Sequence, residues 1–267
     1  MIYKCKPMDE GKVFSYIGLD YPKCLYLYLD LKKYGIESDK IEVYIQYDNL
    51  SNITSVLLVY YSCLHVYSQK ECFDANELWA FFCNMKCTML YCTLSTAEII
   101  YNAIPKVLPK EISFTTGWVA QICSVDKKAK GMAVPAQNDD FDQIARLIYS
   151  DEDIGRSYRY EELARQIKER NREGYARNYV IKQNDIVIAH ACTNAEIDNI
   201  AVVAELLVKN EYRSKGFGSE IWRDICFRLL SEKKEVYSFY YTEESRRLHK
   251  HIGFIEVCEW AKIVVGG

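Results

Sequence analysis

The sequence predicts an α/β protein, with helices placed between the strands of a mixed sheet. Three observations lead to this fold class. First, 49% of the residues are hydrophobic and 27% are charged, a globular composition that excludes disordered, collagen-like and coiled-coil chains. Second, short segments rich in β-branched and aromatic residues alternate with segments of helical periodicity. Third, 267 residues allow one large domain or two ordinary ones, at roughly 150 residues each.

The composition changes along the chain and divides it into two halves. Every arginine lies at or beyond Arg146, whereas eight of the 11 cysteines precede residue 130. The polar stretch 124–139 between the halves carries a lysine cluster, a glycine and a proline, as linkers often do. We therefore expect an N-terminal α/β domain at 1–127 and a second α/β domain at 128–267.

In the N-terminal half, the predicted strands are Ile41–Tyr47, the apolar run Ile53–Ser68 and a closing strand within 111–125. The long run is rich in β-branched and aromatic residues, which indicates strands that are buried on both faces. It falls short of the ~18 residues that a membrane-spanning helix needs. Asp74 and Glu77 form a capping pair, so a helix is predicted to begin there.

The C-terminal half shows a clearer alternation of the two periodicities. The expected helices are Asp139–Ser150, Tyr160–Arg172, Phe217–Ser231 and Glu243–His251, and the expected strands are Asn178–Lys182, Ile186–Cys192, Ile200–Val208, Val236–Tyr241 and Ile255–Val264. Several of the helices carry their apolar residues on one face. This order predicts a mixed sheet whose two faces are covered by helices.

Net charge and cysteine content limit the binding partners and the cellular compartment that we expect. A net charge of −3 and a pI of 5.9 provide no global attraction to nucleic acid or to an anionic membrane. The first ten residues are too polar for a signal peptide, and an odd number of cysteines does not suit a disulfide framework. We therefore expect a cytoplasmic protein with reduced thiols and without a nucleic-acid or membrane partner.

One set of cysteines invites a metal interpretation, which its spacing argues against. Cys83, Cys87 and Cys92 follow a C-x3-C-x4-C pattern near His65, without the paired C-x2-C of structural zinc motifs. We expect these cysteines to be buried free thiols and expect no metal. His190, inside an apolar strand, is expected to make a structural hydrogen bond.

The segment that follows the strand Ile200–Val208 has the composition of a phosphate-binding turn. Residues 213–218 read R-x-x-G-x-G and stand directly before a helix. Glycines permit positive φ angles and close approach of a ligand to the backbone. Unpaired N–H groups at the helix start, aided by its dipole, can then bind a pyrophosphate. The alternative is an ordinary glycine-rich turn between a strand and a helix.

Two segments together resemble a known family. Leu206–Gly218 (LLVKNEYRSKGFG) resembles the acyl-CoA-binding motif of the GNAT superfamily of N-acetyltransferases, which commonly reads L-y-V-x-P-x-y-R-G-k-G-i-G. Leu248–Phe254 (LHKHIGF) is similar to the L-Y-x-K-x-G-F segment of the same family. The resemblance covers about residues 130–265. It implies a GNAT-like acyl-CoA N-acyltransferase fold for the C-terminal half.

The resemblance also implies which residues bind acetyl-CoA. The backbone of Leu206, Leu207 and Val208 would pair with the pantetheine arm like an added strand. The amides that would hold the pyrophosphate belong to Arg213, Ser214, Lys215, Gly216, Phe217 and Gly218. Asn210 replaces the usual proline of the motif, and Ser214 replaces a glycine. Thr242 stands where an asparagine often contacts the cofactor.

Two residues are candidates for proton transfer. Glu205, within the apolar strand, could deprotonate the amine directly or through water, with a pKa raised by its apolar neighbours. Alternatively, Glu205 is salt-bridged or faces solvent at a sheet edge. His249 stands where the family often has a tyrosine acid and could protonate the thiolate; alternatively it faces water. Tyr237, Tyr240 and Tyr241 are other possible donors, or core aromatics.

These features predict an N-acetyltransferase in which a primary amine of a small molecule or peptide attacks acetyl-CoA directly. A backbone N–H of the Leu206–Val208 segment would stabilise the oxyanion. Two alternatives stay open: a catalytically silent acyl-CoA-binding or regulatory module, and acylation of a hydroxyl or thiol. The N-terminal half could be a degenerate copy of the same fold, a dimerisation module that makes a homodimer, or a wall of the acceptor pocket.

Overall fold

The computed structural model describes residues 1–105, 111–125, 131–152, 155 and 159–266. The chain divides into two compact units. The first contains Met1–Val119 together with the residues from Glu256 onward, and the second contains Ala120–Ile255. The domain boundary expected between residues 127 and 128 lies outside the described residues, so it stays a prediction.

The first unit is an α/β sandwich built on a mixed sheet. Its strands are β1 (Ile2–Lys4), β2 (Ile41–Tyr47), β3 (Ile53–Tyr60), β4 (Cys63–Tyr67), β5 (Met89–Thr93), most of β6 (Ile112–Ile122) and most of β12 (Ile255–Val265), and its helices are α1 (Glu10–Ile17), α2 (Leu25–Tyr34), α3 (Ala75–Asn84) and α4 (Leu94–Ala103). Six of these strands lie in the order β1-β2-β3-β4-β5-β12. Among these neighbours, β4 and β5 are parallel, and the other pairs are antiparallel.

The apolar run predicted at Ile53–Ser68 forms two strands, because Tyr61 adopts a φ of 50° and turns the chain between β3 and β4. The predicted burial of both faces is confirmed. Leu57 packs in a cluster with residues of α3 and α4, whereas the next residue, Leu58, packs with residues of α1 and α2. Alternation along a pleated strand sends neighbouring side chains to opposite faces, so an uninterrupted apolar run marks a central strand.

The second unit is also an α/β sandwich on a mixed sheet, as the sequence predicts. Its strands are β7 (Val134–Pro135), β8 (Asn178–Gln183), β9 (Ile186–Glu196), β10 (Ile200–Val208) and β11 (Glu235–Tyr240), and its helices are α5 (Phe141–Tyr149), α6 (Tyr160–Arg172), α7 (Phe217–Ser231) and α8 (Glu243–Ile252). The strands lie in the order β11-β10-β9-β8-β7, with only the pair β10 and β11 parallel among them. The expected bounds of α6, α7 and β10 are confirmed to the residue.

Helices cover both faces of the second sheet. Ile144 and Ile148 of α5 pack with Leu163 of α6 and with Leu207 of β10 in one apolar cluster. Helix α7 contacts β8 through β11, and Gly218 at its start lies beside Val208, whose side chain points away from that of Leu207. No helix in the described part of the chain is both long and apolar enough to cross a membrane.

The two halves of the chain repeat one order of elements, β1 to β6 and then β7 to β12. In each half, a first strand is followed by two helices, three strands, a helix, a fifth strand, another helix and a sixth strand. Each also begins with the same local device. Asp9 accepts a hydrogen bond from Lys6 N (3.0 Å), and Asp140 accepts one from Gln137 N (2.7 Å), each at a 3-10 turn that leads into a helix. Both carboxylates are buried. This repeated order is what a duplicated fold requires.

Candidate active site

A bulge interrupts strand β10 of the second unit. The pairing of β10 with β9 shifts register between Ala204 and Leu207. Glu205, inside the bulge, has a φ of 55°, which is unusual for a residue with a side chain. Among the described residues, the parallel pairing of β10 with β11 runs only from Ile200 to Val203. The backbone of β10 beyond the bulge therefore borders a gap that an extended ligand can enter.

The turn after β10 has the geometry of an anion site. Ser214 and Gly216 adopt φ angles of 61° and 87°, and Gly216 is the N-cap of α7. Gly216 has no side chain with which to cap the helix, so the N–H groups of the first turn of α7 suit a ligand. A Cβ on Gly216 would meet nothing within 4 Å, and residues 213–216 are exposed. Open N–H groups at the positive end of a helix dipole suit a pyrophosphate.

Basic side chains and a second glycine complete this turn. The guanidinium of Arg213 donates from Nε to the carbonyl oxygen of Val208 (3.1 Å), a contact that a ligand pairing with β10 would replace. Lys215 Nζ donates to the Glu211 carbonyl (2.8 Å) and lies over the ring of Tyr212. A Cβ on Gly218 would lie 3.5 Å from Val208 Cγ2, an ordinary van der Waals contact, so the start of α7 packs against the end of β10.

The corresponding place in the first unit is occupied by a carboxylate. The connection from β4 to α3, residues 68–74, contains no glycine. Asp74 caps α3 by accepting a hydrogen bond from Glu77 N (3.0 Å), as the sequence predicts. An aspartate at this position satisfies the helix start and repels phosphate, so this connection is unsuited to the role of the glycine turn.

Glu205 lies at one wall of a pocket in the second unit. The pocket is bounded by α6, β8, β9 and the bulge, and its polar lining consists of Gln166, Arg170, Asn178, Cys192, Thr193, Asn194 and Glu205. Cys192 Sγ donates to Glu205 Oε2 at 3.4 Å. Burial raises the pKa of Glu205 above its usual value, an effect that the positive charge of Arg170 partly opposes. Strand β10 lies between β9 and β11, but its described pairing with β11 ends at Val203, two residues before Glu205, so the expectation that Glu205 lies at a sheet edge stays open.

His249 is buried, so the expectation that it faces water is wrong. Its Nε2 lies 2.9 Å from Ser238 Oγ, and its Nδ1 lies 2.7 Å from the Ser245 carbonyl oxygen. Burial lowers the pKa of His249 to about 4. Both ring nitrogens are engaged and the ring is neutral at pH 7. The geometry therefore favours a structural role for His249 over the predicted role of proton donor.

The other predicted residues have mixed outcomes. Thr242 caps α8, with its hydroxyl oxygen accepting a hydrogen bond from Ser245 N at 3.1 Å. The Tyr237 hydroxyl donates to Glu235 (2.8 Å). His190 Nε2 lies 3.0 Å from Asn178 Oδ1, which confirms its predicted structural hydrogen bond. All 11 cysteines are free thiols; Cys87 and Cys92 are buried as expected, whereas the expectation of burial is wrong for Cys83.

The structure also assembles residues that the sequence analysis did not single out together. One donor atom each of His190, Cys192 and Glu205 lie within 4.8 Å of one another. The alternation of strand residues 190 and 192 was a usable signal, because it places both side chains on one face. No sequence feature near Glu205 predicts the bulge that brings its side chain to the same face. No sequence feature predicts that Arg170 of α6 lies near that strand.

The comparisons with known proteins agree with this architecture. The sequence profile of the Acetyltransferase (GNAT) family matches residues 139–254. No curated protein matches the chain. A Drosophila protein has 11% identity and a TM-score of 0.68, covering 99% of this chain and 98% of that one. A GCN5-related N-acetyltransferase-like protein from Streptococcus suis has 13% identity and a TM-score of 0.63, covering 97% and 100%.

A further structure bears on the repeat. A tandem GNAT protein from the clavulanic acid biosynthesis pathway has 10% identity and a TM-score of 0.59, covering 100% of this chain and 98% of that chain. At these identities the likeness establishes the fold alone. The family profile, however, spans the bulge, the glycine turn and α8 of the second unit. Residues 139–254 of this chain are thus a domain of the Acetyltransferase (GNAT) family, whose members are acyltransferases.

Proposed function

We propose that the protein is an N-acetyltransferase that transfers the acetyl group of acetyl-CoA to a primary amine of a small molecule or peptide. One observation carries the proposal. The bulge at Glu205 stands between a pocket and the end of β10, which leads into the glycine turn and which, among the described residues, has no register with β11 beyond Val203. An acyl donor and an amine could therefore meet beside one half-buried carboxylate.

The cofactor would lie along β10 and across the start of α7. The pantetheine arm would pair with the backbone of Leu206, Leu207 and Val208, and the amides of residues 213–218 would bind the pyrophosphate. The exposed turn, the left-handed Gly216 and the uncapped helix start support this placement. Thr242 would stand near the same ligand through its position at the start of α8.

Glu205 would act as the general base. An aliphatic amine is mostly protonated at neutral pH, because its pKa is near ~10. The carboxylate would accept that proton, directly or through water, and the amine lone pair would attack the thioester carbonyl. A backbone N–H of the Leu206–Val208 segment would stabilise the oxyanion. On collapse, the C–S bond breaks and the thiolate leaves with the bonding electrons. The proton that the attacking nitrogen must still lose to become an amide would reach the thiolate through solvent, since both ring nitrogens of His249 are engaged.

The alternative of a silent acyl-CoA-binding module makes a different prediction. Such a module needs the glycine turn but not a half-buried carboxylate whose pKa is raised by desolvation in its pocket. Acylation of a hydroxyl or thiol would use the same cofactor seat and would appear as O-acyl or S-acyl products. The free thiols support our further proposal that the protein works in the reducing cytoplasm.

The test is a comparison of Glu205→Gln with a matched Glu161→Gln control. Glu161 is exposed in the first turn of α6, outside the pocket lining. Titration calorimetry measures acetyl-CoA binding, and release of CoA thiol with an amine panel measures turnover. We expect Glu205→Gln to lower kcat about a hundredfold with acetyl-CoA affinity unchanged, and the control to behave like wild type. Cofactor binding without turnover on any amine would favour the silent module.

A further inference from the structure

Cys192 stands at the point where the bulge of β10 begins. It is paired with Ala204 in the register of β9 and β10, and the pairing resumes beyond the bulge with His190 opposite Leu207. Between these two pairs β9 has one residue and β10 has two, the first of which is Glu205. Cys192 is therefore the last partner on β9 before the strand that carries Glu205 leaves the register.

The thiol of Cys192 contacts the bulge at two atoms. Its Sγ donates to Glu205 Oε2 at 3.4 Å and also lies 3.6 Å from the carbonyl oxygen of Ala204. Only 3% of Cys192 is exposed, whereas Glu205 is half-buried, and both residues line the pocket. A hydrogen bond to one oxygen restricts the rotation of a carboxylate, so the thiol is placed to orient Glu205.

The direction of the hydrogen bond follows from the chemistry of the two groups. An ionised carboxylate only accepts hydrogen bonds, so the S–H group is the donor. Burial and the negative charge of Glu205 raise the pKa of Cys192 well above its usual value, so the thiol keeps its proton at neutral pH. The donor stabilises the charged form of Glu205 and thereby lowers its pKa against the effect of burial.

Besides Cys192, the charged or titratable groups that face Glu205 in the described part of the chain are Arg170 of α6 and His190 of β9. The positive charge of Arg170 lowers the pKa of Glu205. His190 is neutral at pH 7, because burial lowers its pKa to about 3, and its Nε2 lies 3.0 Å from Asn178 Oδ1. Both groups are retained when Cys192 is replaced, so the effect of the replacement on Glu205 reports on the thiol.

We infer that Cys192 is a positioning residue of the acyl-transfer site: its thiol donates to Glu205 Oε2 and holds the carboxylate in the bulge, so that Oε1 can accept the proton of the acceptor amine. This inference rests on the proposed function only for the amine, since the contact between thiol and carboxylate can be measured without turnover. Cys192 acts through Glu205 in this scheme, and Glu205 remains the general base.

The experiment uses the full chain and four variants. Cys192→Ala and Cys192→Val remove the donor, and Cys192→Ser keeps one. The matched control is Cys226→Ala, which removes another buried thiol of the second unit, in α7 and outside the pocket lining. Circular dichroism melting verifies that each variant is folded.

Two readouts follow Glu205 independently. Carbon-13 NMR of protein labelled at the glutamate Cδ carbons gives the titration of Glu205, whose signal is the one absent from Glu205→Gln. The pH profile of kcat/KM is measured with acetyl-CoA and the best acceptor of an amine panel. The first readout needs no turnover.

We expect the pKa of Glu205 to be higher by about 0.5–1 pH units in Cys192→Ala, the size expected for loss of one weak donor to a charged acceptor. On the acid side of the profile kcat/KM should then fall about three- to tenfold, because less of the base is ionised. Cys192→Ser should restore both values toward those of wild type, and Cys226→Ala should match wild type. If Cys192→Ala fails to fold, Cys192→Val is the variant without a donor.

The outcomes separate this inference from the proposed function. An unchanged titration of Glu205 in Cys192→Ala overturns the inference and leaves an N-acetyltransferase that acetylates amines intact. The same rise in pKa in Cys192→Ala and Cys192→Ser also overturns it, since the bulk of the sulfur and not its proton would be the cause.

The two readouts can also disagree. A higher pKa of Glu205 by NMR with an unmoved kinetic profile overturns the general-base role of Glu205 and, with it, the inference. A higher pKa in Cys192→Ala that Cys192→Ser restores, together with no turnover on any amine, supports the orienting contact and overturns the proposed function.

Discussion

Replacing Gly216 tests whether the glycine turn binds a pyrophosphate. The structure separates the costs of the replacement. A Cβ at this position meets nothing within 4 Å, so the substitution adds no clash. The φ of 87° makes a side chain at Gly216 strained by about 1–2 kcal/mol, and asparagine and aspartate tolerate such angles better than most residues. Both residues are also good N-caps, which offsets part of the strain.

The pair Gly216→Asp and Gly216→Asn therefore differs mainly in charge. Two unit charges ~4 Å apart interact by about 4 kcal/mol at an effective dielectric constant of ~20, which corresponds to roughly a thousandfold in affinity. Salt and exposure of the turn reduce this effect. We expect Gly216→Asp to bind CoA at least about thirtyfold more weakly than Gly216→Asn, with similar melting temperatures for the two variants.

Titration calorimetry with CoA and with dephosphorylated pantetheine measures the effect. The difference between the two variants should be large for CoA, which carries the pyrophosphate, and absent for pantetheine, which does not. Equal CoA affinities for Gly216→Asp and Gly216→Asn, both near that of wild type, would refute the assignment of the turn. A parallel loss of melting temperature in Gly216→Asp alone would show that the aspartate acts on the fold instead.

Three further predictions concern proton and metal chemistry. The pH profile of kcat/KM should rise through the raised pKa of Glu205. Glu205→Gln should lose this rise and keep the rise that comes from deprotonation of the acceptor amine. A wild-type profile in Glu205→Gln would contradict the role of Glu205 as general base. Burial lowers the pKa values of His65 and His249 to about 4. Because the unfolded chain binds more protons below pH ~6.5, the stability contributed by each neutral histidine is complete above that pH and is lost toward pH 4, by about 2 kcal/mol at pH 5. Urea unfolding at pH 7 and pH 5 should show this loss of stability. In His249→Phe the loss should be smaller by the contribution of one histidine. If the pH dependence of that variant equals that of wild type, His249 does not contribute to it. Purified protein should contain no stoichiometric zinc, because the Cys192 thiol keeps its proton and donates toward Glu205 and the Ala204 carbonyl. One zinc ion per chain in wild type that is lost in Cys192→Ser would contradict this prediction.

Hydrophobic periodicity in the sequence predicted most of the helices and strands of the second half. The stripe Ile221, Ile225 and Leu229 of α7 and the alternation in β10 are local properties of the chain, which is why their bounds match the structure. The hairpin between β3 and β4 was less visible, because Tyr61 turns the chain without a glycine or proline. The repeated order of elements in the two halves of the chain is not evident as a sequence repeat. Different side chains can form the same strand order, so topology outlasts sequence similarity.

The sequence predicted some parts of the candidate site and not others. The glycine turn was readable because a backbone site needs particular residue types at a particular spacing, and Gly216 supplies a φ that other residues rarely adopt. The role of His249 was not readable, since burial depends on which rings of other elements surround it. Its neighbours Trp222, Tyr240 and Phe254 lie on three different segments.

The sequence by itself determined the α/β class, the helices and strands of the second half, the phosphate-type turn and Glu205 as a residue of interest. Tertiary structure alone decided that β10 bulges at Glu205, that this carboxylate shares a pocket with Arg170, and that His249 is engaged on both nitrogens. The physical reason is the range of the interactions. Backbone geometry and periodicity act over a few neighbouring residues, whereas desolvation and charge pairing arise between residues that folding brings together from distant positions.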